Sequence, residues 1–228
     1  MRTAIFDLDG TLADTSRDLI AAANACFHDL GMGSPLDPVS DAATAFRGGR
    51  AMLTLGFARV EGVAPVLIDQ EYPKLLAHYA AGIDVHTILY PGAVEAVDRL
   101  RQQGIATGIC TNKPEALARE LLKRLGVADL FDCLVGGDTL PVRKPDPAPL
   151  LRSIDMVGGR VDLAVLIGDT ETDRRAAAAA GTPCVLVAFG PEGSSIASLE
   201  PDALLDHYDQ LEDVVLPLFG KQPRPSRT

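Results

Sequence analysis

Cysteine is scarce in this 228-residue chain, and basic residues are outnumbered by acidic ones. The four cysteines, Cys26, Cys110, Cys133 and Cys184, stand far apart with no CxxC or metal-ligand spacing. That argues against a disulfide framework or a cysteine metal centre, and they read as reduced, buried small hydrophobes of a cytoplasmic protein. Lys and Arg total 21 against 31 Asp and Glu, giving a net charge of −10 and a pI near 4.8. Such a surface repels polyanions, so neither nucleic acid nor an anionic membrane is expected as a partner. The longest apolar stretches, 163–167 and the alanines from Ala176, fall well short of the roughly 18 residues of a membrane span. The opening Met1-Arg2-Thr3-Ala4-Ile5-Phe6 meets Asp7 before a signal-type apolar region can form, so no secretory segment is expected. There is no internal repeat, and the alanine run is the only compositional tract.

What is present is apolar content: 47% of residues are hydrophobic and 23% charged. That excludes a disordered chain and is enough for a compact domain with room for a smaller second module. After residue 90, short apolar runs alternate with longer helical patterns, which predicts βα units around a parallel sheet. The expected strands cover 3–8, 105–110, 164–167 and 184–187, with a fainter fifth at 203–205. The expected helices cover 93–103, 115–125, 147–156 and 172–180. Gly104, Gly126 and Gly181 supply helix stops. From 14 to 85 the period is helical, in Leu19-Ile20-Ala23-Phe27-Leu30 and again over 70–80, with no convincing strand. The expected organisation is an α/β core at 1–13 and 86–220, a helical insert at 14–85, and a flexible tail at 221–228.

The chemistry gathers where the expected strands end. The first runs into Asp7-Leu8-Asp9-Gly10-Thr11, and a period of two starts Asp7 and Asp9 on one face. In an open α/β sheet, ligands bind at the carboxyl edge of the strands. Two carboxylates so close repel unless a cation intervenes or one stays protonated. The pair suits a hard metal bound by oxygen, or a nucleophile beside an acid/base; an ordinary solvated Asx turn is the plain alternative. Asp-x-Asp-Gly-Thr arises by chance on the order of 10⁻⁵ per position, which argues against the plain alternative.

The second strand ends in Cys110-Thr111-Asn112-Lys113-Pro114, placing a hydroxyl and an amide before a helix whose N-terminus can hold an anion, or which Thr111 simply caps. Arg143-Lys144-Pro145-Asp146-Pro147 fixes a lysine ahead of a proline-started helix. Gly168-Asp169-Thr170-Glu171-Thr172-Asp173 is another strand running into carboxylates and a helix, where Asp169 could also cap and Asp173 favour the first turn. Carboxylates, a hydroxyl, an amide and one ammonium, all at strand ends, form the inventory of phosphoryl transfer, in which positioning and charge stabilisation do most of the work.

These four motifs, in this order over nearly the whole chain, resemble those of the haloacid dehalogenase-like phosphatases. The resemblance implies a Rossmann-like parallel sheet core with an inserted α-helical cap, the cap being the 14–85 segment. It also implies that Asp7 is the nucleophile forming an aspartyl-phosphate, and that Asp9 protonates the leaving group and then activates water. Gly10, Thr111, Asn112 and Lys144 would hold the phosphate. Magnesium would be bound by the Asp7 carboxylate, the Asp9 backbone carbonyl and Asp169, with Asp173 in support.

Tyr90-Pro91-Gly92, Thr111-Asn112-Lys113-Pro114, Gly136-Gly137-Asp138-Thr139 and 144–151 are similar to the phosphoglycolate phosphatase group in particular. A small phosphorylated metabolite, first of all 2-phosphoglycolate, is therefore the expected substrate of a monomeric or homodimeric cytoplasmic enzyme. In the insert, Arg47 and Arg50 flank Gly48-Gly49, and a guanidinium there could fork onto a substrate carboxylate, or be merely an exposed helix-end charge. Three other functions fit less of the pattern: a phosphosugar mutase on the same fold; a haloacid dehalogenase, whose relatives lack the aspartate at position 9; and a silent binding module, which would require a broken motif.

Overall fold

The computed structural model describes residues 1–60, 67–190 and 192–224. The chain divides into two compact units, one formed by Met1–Ala13 with the chain from Leu89 onward, the other by Asp14–Ile88. The first unit holds a six-stranded parallel sheet of β1 (Thr3–Phe6), β4 (Ala106–Cys110), β5 (Cys133–Val135), β6 (Ala164–Gly168), β7 (Cys184–Val187) and β8 (Ala203–Leu205). The strand order is β5-β4-β1-β6-β7-β8. Thr3 is in register with both Ala106 and Ala164, and Phe6 with both Ile109 and Ile167, so the ends of β1, β4 and β6 line up at one edge.

Helices cover both faces of this sheet, as a run of wholly buried strands requires. They are α5 (Ala93–Gln102), α6 (Glu115–Arg124), α7 (Ala148–Met156), α8 (Glu171–Ala180) and α9 (Leu211–Val215). Successive residues of β1 point to opposite faces. Ile5 packs with Leu150 and Ile154 of α7 and Ala177 of α8. Phe6 stands edge-on to Phe131, the ring centroids 6.2 Å apart. All four cysteines are buried with free thiols, as expected.

The second unit contains α1 (Ser16–Asp29), α2 (Ala42–Ala45), α3 (Gly49–Arg59) and α4 (Leu67–Ala81). Chain entering and leaving it forms a separate two-stranded sheet of β2 (Ala13–Asp14) and β3 (Ile88–Leu89), which periodicity cannot reveal in strands of two residues. The unit ends at Ile88 rather than 85 because Asp18 of α1 holds the returning chain. Its carboxylate accepts from the His86 N–H at 3.0 Å, the Thr87 N–H at 2.8 Å and the Thr87 hydroxyl at 2.8 Å.

The sheet departs from expectation in two places. β1 stops at Phe6, two residues early, because Leu8 turns to accept the N–H of Leu12 at 3.0 Å. β5, a strand of three residues, has no counterpart among the expected strands. Of the tail expected at 221–228, residues 225–228 lie outside the described residues, and Arg224 is tied down by its N–H to Asp202 Oδ1 at 2.6 Å.

Candidate active site

The site is built on the aligned ends of β1, β4 and β6. Asp7 follows β1 directly and still donates its N–H to Ile167 O at 2.9 Å, which pins it to β6. The chain then turns, with the Gly10 N–H given to Ala13 O at 2.9 Å and the buried Tyr208 hydroxyl donating to Thr11 O at 2.8 Å. Because the strand has ended, the two aspartates face different ammonium groups. Asp7 Oδ1 lies 3.1 Å from Lys144 Nζ, whereas both oxygens of Asp9 accept from Lys113 Nζ, at 2.7 and 2.8 Å.

Lys144 is buried, and its Nζ is also 2.5 Å from Asp173 Oδ1. Its carbonyl accepts the Asn112 amide N–H at 2.9 Å, so Asn112 fixes the lysine's loop from the end of β4. Asp173 belongs to a reciprocal cap of α8: its N–H goes to Thr170 Oγ1, while its Oδ2 accepts from the Thr170 hydroxyl at 2.7 Å and N–H at 3.2 Å. This close seat requires Gly168, where a Cβ would fall 2.4 Å from Asp173 Cγ. Asp169 accepts the Thr11 hydroxyl on Oδ1 at 3.1 Å.

Thr111 continues the ladder from β4 with its N–H to Val135 O at 3.0 Å, and its Oγ1 accepts the Lys113 N–H at 3.2 Å. The Gly136-Gly137-Asp138-Thr139 motif serves this loop. Gly137 lies so close to the Asn112 carbonyl that a Cβ would be 2.2 Å from it. Asp138 Oδ1 accepts the Glu115 N–H at 2.7 Å at the start of α6.

Asp7, Asp169 and Asp173 each offer a carboxylate oxygen within 4.8 Å of the others. Burial above all pushes Asp7 up to about 6; Lys144 opposes this, and Asp173 and Asp9 add to it. Asp169 is driven well above the usual carboxylate range by burial first, then by Asp7 and Asp173. Burial would lower Lys144, but Asp173 and Asp7 outweigh it and hold the ammonium charged. One ammonium thus serves three carboxylates, which is why the lysine stays charged while Asp7 and Asp169 are driven toward neutrality. Asp7 Oδ1 is near Lys144 but not aligned to accept its proton, and neither it nor Asp169 Oδ2 has a hydrogen-bond partner among the described residues. Buried, unpartnered carboxylate oxygens in negative excess are the donor set of a hard divalent cation, and magnesium fits it.

The structure therefore brings Lys144 against Asp7 and Asp173, holds Asp169 within 4.8 Å of both carboxylates, and sets Asp9, Gly10, Thr111 and Asn112 around them. It adds two residues that the sequence reading did not single out, Lys113 and Thr11, although both stand inside the quoted motifs. Arg47 and Arg50 belong to the helical unit. Arg47 is exposed beyond α2, and Arg50 of α3 pairs with Asp69 and lies 4.6 Å from the centroid of the Tyr72 ring, tying α3 to α4. Gly48 takes φ 95° ahead of α3 and Gly49 packs on Leu75, so this glycine pair has a structural reason of its own.

Residues 1–181 match the family model of the haloacid dehalogenase-like hydrolases. The chain is 38% identical over 217 residues to a phosphoglycolate phosphatase of Rhodospirillum rubrum, covering 93% of this chain and 90% of that one. Among solved structures, a predicted phosphoglycolate phosphatase from Haemophilus somnus superposes with a TM-score of 0.82 at 24% identity, over 93% of this chain and 97% of the other. A phosphate complex of CbbY from Rhodobacter sphaeroides superposes with a TM-score of 0.76 at 24% identity, over 92% and 96%. At these identities the two structures establish the fold alone.

Proposed function

The chain belongs to the haloacid dehalogenase-like hydrolases and is a phosphatase of small phosphomonoesters, and from that premise we propose that it is magnesium-dependent and takes 2-phosphoglycolate as its substrate. The observation that carries the chemistry is Asp7: a buried carboxylate at a strand end, with an oxygen that no hydrogen bond from the described residues occupies, next to a charged lysine.

On this reading Asp7 attacks phosphorus, the bond from phosphorus to the ester oxygen breaks, and Asp9 gives the leaving alkoxide a proton. Asp9 then takes a proton from water, which attacks the aspartyl-phosphate, releases inorganic phosphate and regenerates Asp7. Lys144 and Thr111 bear on the phosphate, Asn112 holds the loop that presents Lys144, and Gly10 lets the main chain approach closely. Magnesium would be held by Asp7, Asp169 and the Asp9 main-chain carbonyl, with Asp173 behind them, and would supply positive charge against the carboxylates and the phosphate dianion. The 14–88 unit would act as the cap, with Arg47 and Arg50 as its candidate contacts to the rest of the substrate.

The test is a panel of phosphomonoesters with and without magnesium, combined with acid quenching and mapping of the phosphorylated residue. Turnover of 2-phosphoglycolate above other small esters, with phosphate trapped on Asp7, is the expected result. Undiminished turnover in EDTA, or no phosphorylated aspartate in an active enzyme, would sink the reading.

A further inference from the structure

Three basic side chains are buried among the described residues: Lys113, Lys144 and Arg174. Arg174 is spent on the carbonyls of Glu200 and Arg224, and Lys144 is shared by Asp7 and Asp173. Lys113 is directed instead at Asp9, with an ammonium-to-oxygen distance of 2.7 Å. We infer that Lys113 is the specificity-determining cation of this site, which exchanges Asp9 for a carboxylate on the substrate's leaving group and so selects phosphate esters of 2-hydroxy acids. This inference rests on the role given to Asp9 above.

The geometry follows from that role. A proton passes from Asp9 to the ester oxygen only if the two lie within about 2.6–3.2 Å. Lys113 Nζ touches the same carboxylate, so it lies within about 6 Å of the ester oxygen. In an ester of a 2-hydroxy acid the carboxylate is bonded to the carbon that bears this oxygen, and its own oxygens lie about 3 Å away on ordinary covalent dimensions. The remaining gap is one hydrogen bond to Lys113. Such a substrate brings a third negative charge into a site that already holds Asp7, Asp169 and Asp173. Without a cation for that charge, repulsion would exclude the ester. Ethyl phosphate carries the same phosphate charge but an uncharged ethyl group, so it makes no such demand on Lys113.

Two measurements decide it. The first compares kcat/KM for 2-phosphoglycolate and ethyl phosphate in the wild type and Lys113→Met. A preference for phosphoglycolate in the wild type that falls by about ten- to a hundredfold in the variant supports the inference, on the usual strength of a charge-assisted contact. Equal losses on both esters, or a wild type that does not distinguish them, overturn it while leaving the phosphatase reading intact.

Because Lys113→Met takes the ammonium away from Asp9 and can fail to fold, the second measurement keeps the lysine. Calorimetry follows binding of the same two esters, with magnesium, to the inert Asp7→Asn protein with and without Asp9→Asn. Freed of its competitor, Lys113 should tighten phosphoglycolate binding by about tenfold more than ethyl phosphate binding, on the same contact strength. No difference between the esters overturns the inference. A wild type that turns over neither ester removes the proposed substrate and chemistry instead, and the binding comparison then judges Lys113 by itself.

Discussion

Lys144 reaches 2.5 Å from Asp173, and this one ion pair joins the loop after β5 to the helix after β6. The ammonium also offsets Asp7, so its removal leaves three neighbouring buried carboxylates with no paired cation among the described residues. Lys144→Met should therefore destabilise the metal-free protein by about 3–5 kcal/mol, the usual cost of breaking a buried pair. Urea denaturation in EDTA measures it, and a loss below about 1 kcal/mol would show that the carboxylates are relieved some other way.

Asp7→Asn keeps the side-chain volume and removes a charge that burial disfavours. Its stability should equal or exceed that of the wild type, while turnover falls to background. Thermal melts and steady-state assays check the two halves, and an unstable variant would contradict the electrostatic account even if it were inactive.

The pH dependence of magnesium stabilisation has a definite sign. The fold raises Asp7 from its ordinary 3.8 to about 6, so the folded state holds this proton more tightly than the unfolded chain. The associated stability is complete below about pH 4 and is lost as pH rises through 6. Asp169 shifts in the same direction. Magnesium competes with those protons, so a fixed concentration should raise the Tm more at pH 8 than at pH 5. An equal shift at both values would mean that the ion is not bound by these carboxylates.

Gly168→Ala introduces a Cβ only 2.4 Å from the Asp173 carboxylate carbon, with a strand on one side and a capped helix on the other. A cost of about 1–3 kcal/mol is expected from the overpacking. Activity should fall with it, because Asp173 positions Lys144. A variant with normal stability and kinetics would show that this corner of the site is looser than its contacts imply.

Arg50→Ala removes an exposed pair with Asp69 and the contact with Tyr72. Exposed pairs contribute about 0–1 kcal/mol and an exposed cation–π contact about 0.5–1, so denaturation should show a loss of no more than about 2 kcal/mol. If Arg50 also reads the substrate carboxylate, kcat/KM for phosphoglycolate will fall selectively against ethyl phosphate. With its guanidinium engaged by Asp69 and Tyr72, the selective loss should be smaller than that of Lys113→Met.

What the sequence determined by itself was the placement of chemistry at strand ends. Apolar runs into Asp7, Thr111 and Asp169, and helices stopped by Gly104, Gly126 and Gly181, are patterns within a few neighbouring residues, so they are legible without knowing which segments meet. The partnerships were not local. Lys113 and Asp9 are 104 residues apart, and Lys144 and Asp173 are 29 apart. Only the strand order β5-β4-β1-β6 brings their loops to one edge and decides which ammonium serves which carboxylate. The same holds for Asp18, whose hold on His86 and Thr87 closes the helical unit across 68 residues. Composition and period carry no information about such contacts, because each is selected by giving a buried charge its counterion or its hydrogen-bond donors, and that term exists only once the chain has folded.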